Sequence, residues 1–553
     1  MQADQKKISI PDIILLASIV LVGGFHEYIS CALAIAQSVY LLLRLRKAKT
    51  LRLRSGFWSL SMGFLCAFYG LSCIWAVDRG MAFVGFLKFL PVGLYLLCIW
   101  QEENGKTVLS WLPYAGAVSA VISAVGMQFS AAERYFAVAG RLAGFFQYPN
   151  TFAIFLLVCE LLLVKKSGKK LWDYITLVVL VVSILYTGSR TAFVVAILAN
   201  GAMLLAVAGK KLRLALLVAA LLCLGTVLLL GTNENSVLHR YLSISLVEST
   251  FVGRILYYVD ALQLLLKYPL GMGYMGYYYT QGSVQTGVYS VVYIHNDFYQ
   301  FLLDIGWIPG CMLLAAVVSR LLKKSVPVAD KIIVGAVCLH SLFDFNLQFI
   351  CVFMILALLM DDESAGWIQL KKPAWLKVAA VACIGVCLYM GTALALAHWG
   401  AWEVADALYP FNTRNKITML EHEEDLDRAN VLAEQMLKQN KHYYPAYSIK
   451  AKYSYRNGDF GSLIRYKNQI FQLQPFAHTE YEEYCQMLIN GIALYEKAGN
   501  PASAEICRKE LIATQQKLQQ TAQRLSTLGK MINDQPVTEL SQEITAYIRE
   551  MGE

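Results

Sequence analysis

The chain has 553 residues, of which 57% are hydrophobic and only 16% are charged, and its formal net charge is +9. Soluble proteins carry about 25% charged residues, so this composition excludes an ordinary soluble domain over most of the length. The basic residues occur in short runs between apolar segments, a pattern typical of membrane loops that argues against a continuous nucleic-acid-binding surface.

Apolar segments long enough to cross a bilayer recur from residue 9 to residue 397. Because a transmembrane helix needs about 20 apolar residues, they predict an all-α, polytopic membrane bundle of about 12–13 helices. The predicted segments cover residues 9–25, 27–43, 57–76, 81–100, 108–128, 150–164, 171–188, 191–208, 213–231, 297–319, 331–344, 346–360 and 375–397. We therefore expect a transmembrane domain at 1–398, with a large outer loop at 232–294, and a soluble helical domain at 399–553.

The distribution of lysine and arginine predicts the orientation of this bundle. With a cytoplasmic N terminus, nearly all the loop lysines and arginines fall on cytoplasmic segments, namely 1–8, 44–56, 101–107, 165–170, 209–212, 320–330 and 361–374. The positive-inside rule favours this arrangement, and an odd number of spans puts the C-terminal domain outside. Arg141, Arg190, Arg254 and His295 then all lie at the outer face.

Several ionisable residues fall inside the predicted spans. Lys88 lies in the fourth span, Asp304 and Asp344 lie in later ones, and His340 precedes Asp344 by one helical turn. Ionisable groups within a bilayer usually face a cavity or a partner. We therefore expect these four residues to line a substrate-binding cavity, with a purely structural role as the alternative.

Two arginines stand near glycines on the predicted outer side. Arg190 follows Thr187-Gly188-Ser189, and Arg254 follows Gly253 at the start of an amphipathic segment in the outer loop. A guanidinium group can grip phosphate oxygens with two parallel hydrogen bonds. One such arginine commonly has a structural role, but several on one side beside a histidine favour an anion site.

The outer loop 232–294 leads directly into His295-Asn296-Asp297. Connections longer than about 15 residues are usually functional or disordered, and the many Tyr and Gly residues here favour an ordered, functional loop. A neutral imidazole at the membrane interface can accept a proton from a hydroxyl nucleophile near neutral pH. The alternative is a histidine that only caps a helix.

The soluble tail contains a spaced repetition. Tyr409-Pro410, Tyr444-Pro445 and Gln474-Pro475 recur at intervals of 35 and 30 residues. Periods near 34 residues predict tetratricopeptide-like helical hairpins, which would serve as a scaffold for a protein partner or a glycan. Pairing of Cys485 with Cys507 is left open, and no His/Cys cluster has the spacing of a zinc site.

The order of these motifs resembles the O-antigen ligase and O-antigen polymerase superfamily of bacterial membrane glycosyltransferases. The matching segments are Gly140-Arg-Leu-Ala-Gly-Phe-Phe-Gln-Tyr-Pro-Asn150, Thr187-Gly-Ser-Arg-Thr191, Gly253-Arg254 with Tyr268-Pro-Leu-Gly-Met-Gly273, His295-Asn-Asp with Asp304-Ile-Gly306, and more weakly His340-Ser-Leu-Phe-Asp344. The resemblance spans roughly residues 10–360. Asp304 stands where many relatives have Glu, and the tail has no counterpart in lipopolysaccharide ligases.

The resemblance implies a GT-C-like enzyme in the bacterial cytoplasmic membrane that works without a metal or other cofactor. The implied donor is a glycan on a polyprenyl (undecaprenyl) diphosphate, and the implied acceptor is a sugar hydroxyl of a glycan or glycolipid. Arg190 and Arg254 would stabilise the leaving diphosphate, with Arg141 as a helper, and His295 would orient or deprotonate the acceptor. We expect Asn150 and Asn296 to join the substrate-binding residues.

Three other functions remain open at this stage. A repeat-unit polymerase uses the same donor chemistry as a ligase, and the residues do not separate the two. A transporter or flippase of lipid-linked sugar is less favoured, because the two halves show no matched Gly/Pro-broken spans. A scaffold with an inactive membrane part ranks third, since the whole Arg/His set is retained.

Overall fold

The computed structural model describes the whole chain except residues 1–7, 49, 104, 207–208, 210–212, 214–217, 219–220, 222–224, 230, 234–235, 246, 372–373 and 553. The fold is all-α, as predicted. The first helices are α1 (Ile10–Val20), α2 (Glu27–Lys47), α3 (Phe57–Ser72), α4 (Arg79–Ile99), α5 (Leu112–Gly126), α6 (Ser130–Phe136), α7 (Pro149–Lys165), α8 (Leu171–Tyr186), α9 (Arg190–Ala206) and α10 (His239–Leu242).

The next helices are α11 (Ser249–Lys267), α12 (Gly276–Thr280), α13 (Asp297–Ile305), α14 (Trp307–Leu322), α15 (Val328–Ser341), α16 (Ile350–Met360) and α17 (Ala374–His398). The C-terminal helices are α18 (Trp402–Leu408), α19 (Thr413–His422), α20 (Leu426–Gln439), α21 (Tyr444–Arg456), α22 (Phe460–Leu473), α23 (His478–Lys497), α24 (Pro501–Gln520) and α25 (Gln542–Gly552).

Short strands and single 3₁₀ turns complete the secondary structure of the described residues. The strands form two antiparallel pairs, β1 (Thr50–Arg54) with β4 (Trp367–Lys371) and β2 (Ala137–Val138) with β3 (Arg141–Leu142). The 3₁₀ turns are Val22–Gly24, Thr107–Ser110, Gly144–Phe146, Gln281–Val284, Asn346–Gln348 and Thr521–Arg524.

Three helices of the described part are long and apolar enough to cross a membrane by length and composition, namely α2, α4 and α17. Seven shorter apolar helices accompany them, α1, α3, α5, α8, α9, α14 and α16. The span predicted at 213–231 falls largely outside the described residues. The total number of spans therefore stays a prediction.

The contacts divide the chain into two compact units. The first comprises Met1–Leu71, Phe83–Ser245 and Ile294–Ala395. Its centre is formed by α7 and α16, whose side chains are buried on nearly every face. Helices that are apolar all round need partners on all sides, and α7 packs against α5, α8, α9 and α15.

The second unit comprises Ser72–Ala82, Leu246–Tyr293 and Leu396–Glu553. Its C-terminal helices pack as successive neighbours, α20 on α21, α21 on α22 and α23 on α24. Cys485 and Cys507 are both buried, free thiols in its core. The predicted domain boundary at residue 398 and the tetratricopeptide-like nature of the tail stay predictions.

Much of the outer loop belongs to this second unit and is held there by specific hydrogen bonds. The buried carboxylate of Asp260 in α11 accepts from the Thr286 backbone N–H (2.9 Å), the Thr286 hydroxyl (2.6 Å) and the Tyr289 hydroxyl (3.0 Å). The Ser526 N–H in turn donates to the Thr286 carbonyl (3.0 Å). The loop is thus ordered, and the C-terminal part of the chain is hydrogen-bonded to it.

Candidate functional site

A tight hairpin in the first unit positions Arg141. Strands β2 and β3 pair Ala137 with Leu142 and Val138 with Arg141, leaving Ala139 and Gly140 as a two-residue turn. Both turn residues have positive φ, +49° and +71°, which matches the primed turns that suit the twist of a hairpin. Arg141 leaves this turn and donates from Nε to the Thr187 carbonyl (2.7 Å).

A second arginine reaches the same place from α10. Arg240 Nε donates to the Gly188 carbonyl (3.2 Å), one residue after the carbonyl bound by Arg141. Gly188 has φ +59°, and a Cβ there would lie 3.2 Å from Arg240 Cδ and 3.3 Å from Arg141 Nε. Burial and the positive charge of Arg240 lower the pKa of Arg141 to about 10, so both groups are cationic at neutral pH. Two cations held this close around a glycine suit an anionic ligand.

The other end of the Arg141 side chain joins a buried polar network. Arg141 Nη2 donates to Asn150 Oδ1 (2.7 Å), and Asn150 Nδ2 donates to Asp344 Oδ2 (2.7 Å). The Tyr148 hydroxyl donates to Asp344 Oδ1 (2.9 Å) and accepts a further bond from Asn150 (3.2 Å). Asp344 is fully buried, so this carboxylate depends on its donors rather than on water.

His295 faces the same carboxylate. Its Nδ1 lies 3.6 Å from Asp344 Oδ1, and its side chain is 21% exposed, whereas that of Asp344 is 0% exposed. The ring also meets Phe345 edge to face at 5.0 Å between centroids. His295 has φ +57°, a left-handed conformation that a β-carbon disfavours and that is often found at functional sites.

The residues on either side hold this conformation in place. The Ile294 N–H donates to Gln300 Oε1 (3.0 Å), while Asn296 caps α13 by accepting from the Tyr299 N–H (3.0 Å). Asn296, a predicted substrate-binding residue, therefore has its side-chain oxygen committed to the helix cap. Its effect on the site in this structure is to fix His295 at the entry of α13.

The network connects a cation to a titratable base. A line of contacts runs from Arg141 through Asn150 and Asp344 to His295. A carboxylate beside one imidazole nitrogen orients the ring and stabilises its protonated form, which leaves the other nitrogen to take a proton. The 3.6 Å separation is long for a hydrogen bond, and such contacts commonly tighten when substrate binds.

Two other predicted residues lie deeper in the same unit. Asp304 is fully buried and accepts from the Tyr69 hydroxyl (2.9 Å) and from Gln300 Nε2 (2.8 Å). Lys88 is also fully buried, donates to the Phe25 carbonyl (3.1 Å), and lies 4.7 Å from the centre of the Phe25 ring. Gln300 is hydrogen-bonded both to Asp304 and to the Ile294 N–H next to His295. Asp304 is therefore connected to the backbone at His295 through Gln300.

His340 lies beneath the turn that carries Asp344. It is fully buried, and its Nδ1 pairs with the side chain of Asn346, which also meets the hydroxyls of Thr151 and Ser341. This arrangement braces the turn between α15 and α16. His340, a predicted substrate-binding residue, thus contacts Asn346 in the turn that follows Asp344, and it is fully buried.

Arg190 and Arg254 occupy different units. Arg190 is the first residue of α9, two positions after Gly188, and is half-buried. Arg254 lies in α11 of the second unit and is also half-buried. The role of each as a diphosphate ligand stays a prediction.

Sequence reasoning missed three members of the network. Tyr148 lies inside a quoted motif, but a single tyrosine gives no signal of its own. Arg240 lies 52 residues from its partner Gly188, so no local pattern connects them. Asp297 accepts from the Leu347 N–H (2.9 Å) and thereby ties α13 to the turn after Asp344. The triplet His295-Asn296-Asp297 was the available signal for that contact.

Part of the chain that includes His295 matches a known protein family. Residues 175–315 match the O-antigen ligase family. The match covers about a quarter of the chain and includes Arg190, Arg254, His295, Asn296 and Asp304. It confirms the predicted resemblance to that superfamily. No curated protein matches the chain.

The match to the O-antigen ligase family indicates a glycosyltransferase-type enzyme of polysaccharide assembly. It also implies association with a membrane and substrates of two kinds, a lipid-linked glycan and an acceptor. Within the part of the chain that the structure describes, no group of three His, Cys, Asp or Glu side chains is placed to hold a metal ion.

Proposed function

We propose that this protein transfers a glycan from a polyprenyl diphosphate carrier, undecaprenyl diphosphate in bacteria, to a sugar hydroxyl at the outer face of the cytoplasmic membrane. The observation that carries the proposal is the linked set Arg141, Asn150, Asp344 and His295. In this set the imidazole lies 3.6 Å from a carboxylate that Asn150 connects to Arg141 by hydrogen bonds. The family match over residues 175–315 supports the same chemistry.

His295 is the acceptor-activating base in this proposal. The acceptor hydroxyl oxygen attacks the anomeric carbon and forms the new glycosidic bond, while its proton passes to the imidazole. Asp344 stabilises the resulting imidazolium from the other side of the ring. The proton then leaves to water, which returns His295 to its neutral form.

Fixed cations receive the leaving group. The bond between the anomeric carbon and the diphosphate oxygen breaks with its electron pair, so negative charge grows on the polyprenyl diphosphate. Preorganised guanidinium groups stabilise such charge most in a partly dry site, because they need no reorganisation as it develops. We assign this role to Arg190 and Arg254. Arg141 and its neighbour Arg240, which lie around Gly188, would assist them. The mechanism uses no metal.

The test uses purified full-length protein, a polyprenyl diphosphate-linked repeat unit and candidate acceptors. We expect release of polyprenyl diphosphate in the wild type and its loss in His295→Ala and Arg254→Ala, while His422→Ala, an exposed histidine of the second unit, retains activity. Full activity of His295→Ala would refute the assignment. A single product that needs an acceptor defines a ligase, and a ladder without acceptor defines a polymerase. Movement of the lipid-linked sugar without its cleavage would identify a transporter and refute transfer.

A further inference from the structure

A groove in the second unit is lined by both aromatic and polar side chains. Its volume is about 400 Å³, within the range of about 300–1,000 Å³ found for ligand sites. The groove is lined by Asn468, Phe471, Gln472, Pro475, Tyr481, Lys517, Gln520, Thr521 and Arg524. We refer to these residues as the tail groove.

Two helical segments form its walls with the same spacing. Asn468, Phe471, Gln472 and Pro475 follow the i, i+3, i+4, i+7 pattern along α22 and its end. Lys517, Gln520, Thr521 and Arg524 repeat that pattern along α24 and the turn after it. Such spacing puts each set on one face of its helix and extends each wall by about 10 Å. The groove is therefore built from two facing helical stripes.

The floor of the tail groove is rigid. Phe471 and Tyr481 stack with ring centroids 3.9 Å apart, and both rings are buried. Lys517 Nζ donates to Asn468 Oδ1 across the groove (2.7 Å). Arg524 donates to the carbonyls of Ser283 (2.6 Å) and Gln285 (3.2 Å). The walls are thus tied to each other and to the outer loop before any ligand binds.

The charge of the lining has one sign. Lys517 and Arg524 contribute two cations, and no carboxylate lines the tail groove. Their hydrogen bonds run to an amide and to carbonyls, and neither side chain is in direct contact with a carboxylate among the described residues, although Arg524 interacts electrostatically with the buried carboxylate of Asp260. Elsewhere in this unit buried cations are neutralised, as Lys467 is by Glu480 and Glu483. The tail groove therefore offers positive potential to a ligand.

We propose that the tail groove binds an acidic oligosaccharide. Its amides, Asn468, Gln472 and Gln520, can both donate and accept, as sugar hydroxyls do. The two cations meet the acidic groups. A peptide that binds by strand addition would need an open strand edge, and none of the lining residues belongs to a strand. The choice of a glycan rests on the proposed function, and the groove would hold acceptor or product chain.

Binding is measured with oligogalacturonate as the acidic probe on full-length protein in detergent, without any donor lipid. We expect salt-sensitive binding that weakens about tenfold or more in Lys517→Gln, because a charge-assisted hydrogen bond is lost. Lys517→Arg keeps the charge and should keep binding. Lys509→Gln, an exposed lysine of the same helix outside the groove, serves as the matched control. A maltooligosaccharide of equal length should not bind.

Three outcomes would overturn the inference: no binding of oligogalacturonate, equal binding by the wild type and Lys517→Gln, or tighter binding of polyglutamate than of the sugar probe. The His295→Ala variant separates this inference from the proposed function. If that variant still binds the probe, the groove acts independently of transfer. Wild-type protein that transfers glycan without binding the probe refutes the groove alone, and protein that binds without transferring refutes the proposed function alone.

Discussion

Asp344 connects the arginine side of the candidate site, through Asn150, to the imidazole of His295. Its two oxygens accept from Asn150 and Tyr148, and one of them faces His295. Because the carboxylate is fully buried, its charge is balanced by these donors and by the nearby cation of Arg141. A neutral isostere would keep the shape and remove the charge, which makes it the sharpest probe of the proposed mechanism.

We therefore expect Asp344→Asn to lower the rate of glycan transfer by on the order of 10²-fold or more, because the imidazolium loses its counter-charge and its orientation. Release of polyprenyl diphosphate at saturating donor measures the effect. Asp427→Asn, at an exposed carboxylate of α20, is the matched control and should transfer normally. A wild-type rate in Asp344→Asn would remove the carboxylate from the mechanism.

Gly188 allows two guanidinium groups to approach one backbone turn. In Gly188→Ala the new methyl group would lie 2.7 Å from Val237 Cγ1 and close to both arginines, at a φ of +59°. We expect the free energy of unfolding to fall by about 1–2 kcal/mol and glycan transfer to fall with it. Thermal unfolding in detergent and the transfer assay report the two effects.

The control for this change is Gly201→Ala in the middle of α9, where an added Cβ meets nothing within 4 Å. Alanine there should raise the free energy of unfolding by about 0.5–1 kcal/mol, because it favours the helix. If both variants behaved alike, the crowding of arginines at Gly188 would have no bearing on stability.

At the scale of elements, the outer loop and the C-terminal segment depend on each other. Gly287 and Gly529 stand so close that a Cβ on Gly529 would lie 2.1 Å from the Thr286 carbonyl oxygen. These are backbone atoms, which cannot move aside to make room for a Cβ as the end of a flexible side chain can. The hydrogen bonds among Asp260, Thr286 and Ser526 require this close approach.

Gly529→Ala should therefore loosen the outer loop and cost about 1–3 kcal/mol of local stability, as overpacking typically does. Limited proteolysis measures this as faster cleavage within residues 247–293. Gly461→Ala, in the first turn of α22, meets only Asp459 Oδ1 at 3.6 Å and should leave the cleavage rate unchanged. An unaltered rate in Gly529→Ala would show that the contact is dispensable.

Hydropathy alone predicted the helical class and the position of most apolar helices, since burial in a bundle or bilayer demands apolar side chains along the whole helix. The motifs predicted Arg141, Asn150, His295 and Asp344 as site residues; the structure brings these four side chains together, and their role in a site stays a prediction. Arg240 was not predicted as a site residue, because its position beside Arg141 depends on the left-handed turn at Gly188.

The hydrogen bonds between the outer loop and the C-terminal segment could not be predicted from the sequence for another reason. Thr286 and Ser526 are 240 residues apart, and neither carries a local pattern that points to the other. Periodicity reports which face of an element is buried, but it does not report which distant segment covers that face. Contacts of this kind become visible only when the chain is folded.

At the scale of the whole molecule, the distribution of lysine and arginine predicts a direction across the membrane. The predicted cytoplasmic segments hold most loop cations, and the proposed chemistry requires His295 on the other side. Alkaline phosphatase fused after residue 553 should be active, because it folds only outside the cytoplasm, and the same reporter joined within residues 361–371 should be inactive. The reverse pattern would put the candidate site in the cytoplasm and refute the proposed orientation.

In the proposed mechanism Arg141 would share its guanidinium between Asn150 and the phosphate of the donor, and this sharing would have a kinetic consequence. A donor that engages Arg141 competes with the amide oxygen it now contacts at 2.7 Å, and that amide is bonded to the carboxylate beside the imidazole. Occupancy of the phosphate position would be communicated to the base through two intervening side chains, Asn150 and Asp344. The protein would then bind its substrates in a compulsory order, with the lipid carrier first, activating the imidazole for the second substrate.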